Sequence, residues 1–188
     1  MVKVAVFVSG GGTNLQAILD AQGTVIQNAQ VALVIASRAD AYALERAKKY
    51  GVPGVVLRDE EDIQRTLEEY GIDLIVLAGY MRILSAEFTA RWDRRILNVH
   101  PSLIPSFCGK GMYGLRVHEA ALGYGVKVTG ATVHFVNEVP DGGEIIYQKA
   151  VDIEPNDTPE ILQRRVMEQA EWILLPRAIE KVAKEMLA

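Results

Sequence analysis

The chain has 188 residues, enough for one well-cored domain and short for two. It is 49% hydrophobic and 23% charged, which excludes a disordered chain. A net charge of −4 offers no basic face to a phosphate backbone, so nucleic acid is not expected as a partner, whereas a small phosphorylated ligand needs only a few local donors.

Cys108 is the single cysteine, so no intrachain disulfide can form, which fits a reducing compartment. The apolar start, Val2 to Val8, is too short for a signal peptide and runs into glycines. No apolar run approaches the ~18 residues that span a bilayer. A cytoplasmic protein without a membrane anchor is expected.

Val2 to Val8 is apolar almost throughout, the pattern of a strand buried on both faces. Ser9 to Asn14 holds three consecutive glycines, and Leu15 to Ala21 then has helical spacing. Strand, glycine turn and helix make the first half of a βαβ unit. A second strand, Val31 to Ala36, leads to a helix from Tyr42 to Tyr50, with Gly51 as its cap. Val55 to Leu57 predicts a short third strand. Asp59 to Tyr70 predicts a charged helix with an apolar stripe at Ile63, Leu67 and Tyr70, stopped by Gly71. Ile72 to Ala78 is a fourth apolar strand. Ser85 caps a helix from Ala86 to Trp92. Ile96 to Val99 is the fifth strand, and Pro101 ends it.

Residues Pro101 to Tyr113 form a long loop rich in proline and glycine. A helix runs from Leu115 to about Leu122. Lys127 to Val136 and Glu144 to Ile153 read as an antiparallel strand pair, joined through Asn137 to Gly143. The last helix starts at Thr158-Pro159-Glu160 and continues to the C-terminus, with a bend at Pro176. The expected fold is α/β: one open twisted sheet, mainly parallel with an antiparallel C-terminal strand pair, and helices on both faces. Its N-terminal half is Rossmann-like. No linker or repeat divides the chain, so residues 1–188 are read as one domain, with a nucleotide-binding-like half over 1–100 and a second half over 101–188.

Two places can carry chemistry. In the first, Gly10 to Gly12 let the backbone approach a ligand, and the N–H groups of the following helix face an anion. Thr13 and Asn14 add side-chain donors. A tight turn with Thr13 or Asn14 merely capping the helix has the same pattern. The loop lacks the Gly-Lys-Ser/Thr ending of a P-loop, and Ser37-Arg38 stands where a nicotinamide site needs an acid.

In the second, Asn98 and His100 lie two apart on a strand end, so their side chains share a face. An amide can donate to a forming oxyanion, and an imidazole can carry a proton near neutral pH. A hydrogen-bonded strand end is the alternative. Asp141, in a Pro-Asp-Gly-Gly turn, either steadies His100 or serves only the turn. His118 is expected at the surface or in loop packing, His134 as a structural strand residue, and Cys108 as an inert thiol. The three histidines lack metal-ligand spacing, and no metal is expected.

Four segments occur here in a telling order: Ser9 to Ile18, Leu77 to Leu84, Asn98 to Pro105, and His134 to Gly143. Together they resemble the phosphoribosylglycinamide formyltransferases, folate-dependent enzymes of purine synthesis, over nearly the whole chain. The Asn-x-His-Pro-Ser-Leu segment is shared with other formyltetrahydrofolate enzymes, while the glycine loop and compact length point to the glycinamide member. The resemblance implies transfer of the formyl group of 10-formyltetrahydrofolate, a co-substrate, to the amine of phosphoribosylglycinamide, by a monomer or homodimer. It implies Asn98, His100 and Asp141 as the catalytic trio. Gly11, Gly12, Thr13 and Asn14 would hold the ribonucleotide phosphate, and Glu171 would contact the same substrate. Met81, Arg82, Ile83 and Leu84 would line the folate site, with Asn98 and the Val136, Asn137, Glu138, Val139 and Asp141 loop beside the pteridine. Trp172 stands where many members have histidine. The acidic stretch Asp59 to Ile63 gives no match to the basic residue that meets the folate tail.

Three other readings remain. Methionyl-tRNA formyltransferase resembles a longer chain with an added domain. A formyltetrahydrofolate hydrolase carries a regulatory domain before the first strand, which here begins at Val2. A nucleotide-binding protein without catalysis would use the glycine loop alone.

Overall fold

The structure is a computed structural model that describes residues 1–188. The strands are β1 Val2–Val8, β2 Ala29–Ala36, β3 Gly54–Val56, β4 Leu74–Leu77, β5 Ile96–His100, β6 Val128–Phe135 and β7 Ile145–Asp152. The helices are α1 Thr13–Ala21, α2 Ala43–Lys49, α3 Glu60–Tyr70, α4 Ala86–Arg91, α5 Leu115–Tyr124, α6 Pro159–Val166 and α7 Trp172–Leu187. The strands form one sheet in the order β3-β2-β1-β4-β5-β6-β7. β1 to β5 run parallel, and β6 is antiparallel to both its neighbours.

The apolar run of β1 is used on both faces. Val4, Val6 and Val8 face the core made with α1, α2, α6 and α7, while Ala5 and Phe7 face the core made with α3 and α4. Such two-sided burial explains why the strand shows no polar alternation. Caps fall where short polar side chains invite them. Asp59 accepts from Glu61 N and Asp62 N, Ser85 from Phe88 N and Thr158 from Ile161 N. Gly71 ends α3 at φ 63°, and Gly51 follows α2 at φ 69°.

Two expectations change. β4 is shorter than Ile72 to Ala78: Ile72 N instead closes the end of α3 on Leu67 O, and Ala78 N pairs only at the strand's exit. The C-terminal helix runs unbroken to Leu187 as expected but is not regular throughout. A π-turn, Met167–Glu171, separates α6 from α7. Pro176 lies one turn further on, inside α7, and its missing N–H removes one bond of the helix's regular ladder at that end.

The chain order reverses direction between β1 and β4. Connections from β1 move outward to β2 and β3, and the chain then returns to β4 on the other side. In open α/β sheets, ligands bind beyond the carboxyl ends of the strands at such a reversal. The glycine loop after β1, the Gly79 to Leu84 segment after β4 and His100 at the end of β5 all lie there. No helix is long and apolar enough to cross a membrane.

Candidate active site

A cavity of about 390 Å³ opens at this end of the sheet. That size suits a small-molecule site. Asn98, His100 and Asp141 all border it, together with Asn14, Glu171 and the Met81 to Leu84 segment.

The glycine loop is braced from behind. Ala43 N donates to Gly10 O, and Arg46 Nε donates to Gly11 O at 2.8 Å. Gly12 is the N-cap of α1 at φ 73°, and a Cβ there would lie 2.6 Å from Ala43 Cβ. Only glycine fits this turn. No side chain caps the helix. The first-turn N–H groups therefore keep their capacity for an anion. Gly11 and Thr13 are exposed beyond the cavity's edge, where Asn14 alone reaches in. Asn14 Nδ2 donates to Glu171 Oε2 at 2.8 Å, and Thr13 Oγ1 makes only a long contact to Met167 Sδ. Glu171 is buried by the π-turn that presents it. Burial pushes its carboxyl up to about 7, against the opposing hydrogen bond from Asn14.

Ser9 ties the loop to the neighbouring segment. Its Oγ lies 2.6 Å from Ser37 Oγ and accepts from Met81 N at 2.9 Å. Met81 and Ile83 are 55% and 75% exposed at the cavity rim, an apolar surface suited to a flat ring system. Leu84 is buried, and Arg82 is exposed. Val136, Asn137 and Glu138 border the same cavity. Val139 does not; its side chain packs over Gly142 instead.

The Asn98, His100 and Asp141 cluster is assembled across three elements. β5 pairs with β6 so that Asn98 faces His134. His134 Nδ1–H donates to Phe135 O at 2.7 Å, which leaves Nε2 free to accept from Asn98 Nδ2 at 3.2 Å. The Asn98 amide is thereby held with one N–H to spare. His100 Nε2–H donates to Phe107 O at 2.8 Å. Its Nδ1 is then the proton-carrying atom, 3.6 Å from Asp141 Oδ2. The other carboxylate oxygen lies 3.7 Å from His134 Nε2. Both spacings exceed hydrogen-bond range, and the His100 contact becomes an ion pair only when that ring is protonated. Gly109 N donates to Asp141 Oδ2 at 2.8 Å. Burial alone would raise the Asp141 carboxyl, but His134, His100 and Gly109 outweigh it and hold it below the ordinary carboxylate range. Asp141 itself sits at φ 56°, a conformation aspartate tolerates in turns.

Two histidines need correction. His134 is not merely a strand residue: it is the cross-strand partner that fixes Asn98. His118 is neither on the surface nor in loop packing. α5 turns it inward beside Val117 and Ala121, with none of its surface exposed, and it borders the cavity. The helical spacing of 117, 118 and 121 carried that signal, whereas the β5–β6 register could not be read from either strand alone. Cys108 donates to Pro105 O, and burial, then Asp141, raises its thiol, so it stays protonated.

A Rossmann-like sheet carrying a glycine loop, an apolar rim and a clustered Asn–His–Asp trio has the amide donor and proton carrier that group transfer at a carbonyl carbon needs. Residues 2–179 match the model of the formyl transferase family. The chain belongs to that family. Phosphoribosylglycinamide formyltransferase of Haemophilus influenzae is 43% identical over 96% of the chain and 86% of its own length. The trifunctional purine biosynthetic protein adenosine-3 of Gallus gallus is 44% identical over 97% of the chain, which spans 18% of that protein. The crystal structure of glycinamide ribonucleotide transformylase 1 from Symbiobacterium toebii superposes with a TM-score of 0.90 at 42% identity, over 98% of this chain and 89% of that one.

Proposed function

We propose that the protein transfers the formyl group of 10-formyltetrahydrofolate to the amine of 5-phosphoribosylglycinamide, a step of purine synthesis. The observation that carries this reading is one cavity bordered by Asn98, His100 and Asp141, which Asn14 enters from the helix behind the glycine loop and whose rim carries the apolar Met81 and Ile83. Gly11, Gly12, Thr13 and Asn14 hold the ribonucleotide phosphate, and Glu171 contacts the same substrate. Met81, Arg82, Ile83 and Leu84, with Val136, Asn137 and Glu138, hold the folate. Residues 1–100 form the nucleotide-binding-like half and residues 101–188 the folate and catalytic half, with Met81 to Leu84 and Asn98 reaching across from the first. The enzyme acts on small molecules in the cytoplasm, as a monomer or homodimer, without a metal.

The substrate amine attacks the formyl carbon and the carbonyl oxygen becomes an oxyanion. The free N–H of Asn98 donates to it, with His100 in its protonated form. The ionised Asp141 stabilises that imidazolium. As the C–N bond to the formyl carbon breaks, His100 Nδ1 gives its proton to the folate nitrogen, and the proton lost by the amine then returns His100 to its protonated form. Tetrahydrofolate and the formylated ribonucleotide leave.

The test is formyl transfer by the purified protein, following tetrahydrofolate and formylated product. Turnover that requires the ribonucleotide supports the reading. Release of formate to water without an acceptor would support a hydrolase, and ligand binding without turnover a non-catalytic protein; either result overturns it.

A further inference from the structure

Arg46 has no part in the chemistry above, yet it is the one cation hydrogen-bonded to the glycine loop. It reaches the loop from α2. Its Nε donates to Gly11 O at 2.8 Å and its Nη1 to Gln16 Oε1 at 3.0 Å, and the guanidinium lies 5.2 Å from the Tyr42 ring centre. Its stem closes the space behind Gly12, where a Cβ would stand 3.4 Å from Arg46 Cδ. The side chain is half-buried and takes part in none of the protein's ion pairs. A guanidinium stays charged at any working pH, so this charge has no counterion within the protein.

The bond to Gly11 O also sets a direction. A trans peptide unit points its C=O and its N–H opposite ways. Ala43 N holds Gly10 O and Arg46 holds Gly11 O, both from α2. The N–H groups of Gly11 and Gly12, which share those two peptide units, are therefore turned away from α2. Neither donates to any group of the protein. Successive N–H groups left free in this way form a cradle for an anion, and α1 adds its own uncapped first turn. Arg46 is the only partner of Gly11 O, and a glycine peptide released from it is free to turn over. A phosphate monoester carries a charge of about −1.5 to −2 near pH 7. Backbone N–H groups offer it only partial charges, and Arg46 adds a full one a single peptide away. Resting on the formyl-transfer reading, we propose that Arg46 is a positioning residue that makes the enzyme selective for a phosphorylated acceptor. It fixes the Gly11–Gly12 peptide with its N–H toward the phosphate and stands as the positive charge behind it. It touches no reacting atom.

The experiment compares the wild type with Arg46→Met, which keeps the stem and loses the charged head, and with Arg46→Lys. For each, kcat/KM is measured for phosphoribosylglycinamide and for the same acceptor without its phosphate, at enzyme concentrations high enough to read the weaker one. The KM for formyl folate and the melting temperature are followed alongside. In Arg46→Met, kcat/KM for the ribonucleotide should fall roughly 10- to 100-fold, mostly through KM, the range for a lost hydrogen bond to a charged group. The value for the dephosphorylated acceptor should change by less than about threefold, and the folate KM by less than about twofold. The preference for the phosphate then shrinks by nearly the whole loss. Arg46→Lys, which restores the charge and one donor but not the fork, should recover part of it. A residue that only steadies the fold would lower both acceptors alike. Equal losses for the two acceptors, or an unchanged preference, in Arg46→Met overturn the inference alone. If Arg46→Met does not fold, Arg46→Gln decides: an undiminished preference overturns the inference, and a loss confined to the phosphorylated acceptor supports it. A wild type that does not formylate the ribonucleotide overturns both this inference and the reading beneath it.

Discussion

Glu171→Gln should make the protein more stable at high pH and leave it unchanged at low pH. The side chain is 6% exposed, and its carboxyl titrates near 7 in the fold against 4.5 when free. A folded-state pKa above the unfolded one means that the native state binds the proton more tightly. Stability linked to this group is therefore fully present below pH 4.5 and is lost as pH rises to about 7. At 1.36 kcal/mol per unit, the rise corresponds to at most about 3 kcal/mol, and relaxation around the charge reduces it. Glutamine keeps the oxygen that accepts from Asn14 Nδ2 and never ionises. For a chain of this length each kcal/mol moves the melting temperature by about 2–4 °C. The variant should melt several degrees above wild type at pH 8.5 and level with it at pH 4.5. Melting curves of both proteins across that range check it. A gap that is constant with pH, or widest at pH 4.5, refutes the reasoning. Ribonucleotide KM should rise in the same variant, since the proposed contact loses its charge.

Gly12→Ala should cost about 1–3 kcal/mol, because φ 73° and a Cβ 2.6 Å from Ala43 Cβ both oppose it; chemical unfolding and ribonucleotide KM would both report the damage. Glu180→Gln should destabilise by at most about 3 kcal/mol at neutral pH. Glu180 accepts from Gln27 N, Asn28 N and Asn28 Nδ2, pinning the turn before β2 onto α7. Burial alone would raise its carboxyl, but these donors and Lys184 bring it down to about 2. That stability is present above pH 4.5 and lost as pH falls toward 2, so the gap between variant and wild type should close in acid melts.

Much of the fold was legible because its signals are local. The nearly continuous apolar runs of β1 and β2 announce a sheet covered on both faces, and Asp59, Ser85 and Thr158 mark helix starts that the backbone uses. The Asn98–His100 spacing placed both side chains on one cavity. What stayed hidden depends on contacts distant in sequence. Asn98 meets His134 only through the β5–β6 register, and Asp141 reaches His100 from a turn 41 residues later, where Gly109 N of the Pro101 to Tyr113 loop also donates to it. The π-turn at Met167–Glu171 has no compositional mark, because its residues suit an ordinary helix. The burial of Glu171 followed from that turn and was equally invisible.

The central claim is that Asn98 stabilises the oxyanion of formyl transfer. Its amide is held by His134 Nε2 at 3.2 Å and has one N–H free toward the cavity. The most direct measurement is kcat for formyl transfer to phosphoribosylglycinamide by the wild type and by Asn98→Ala, with folding checked by the melting temperature. Removing one such donor should lower kcat by about 100-fold or more, near 3 kcal/mol, in a protein that still folds. A folded Asn98→Ala that turns over at close to the wild-type rate would contradict it.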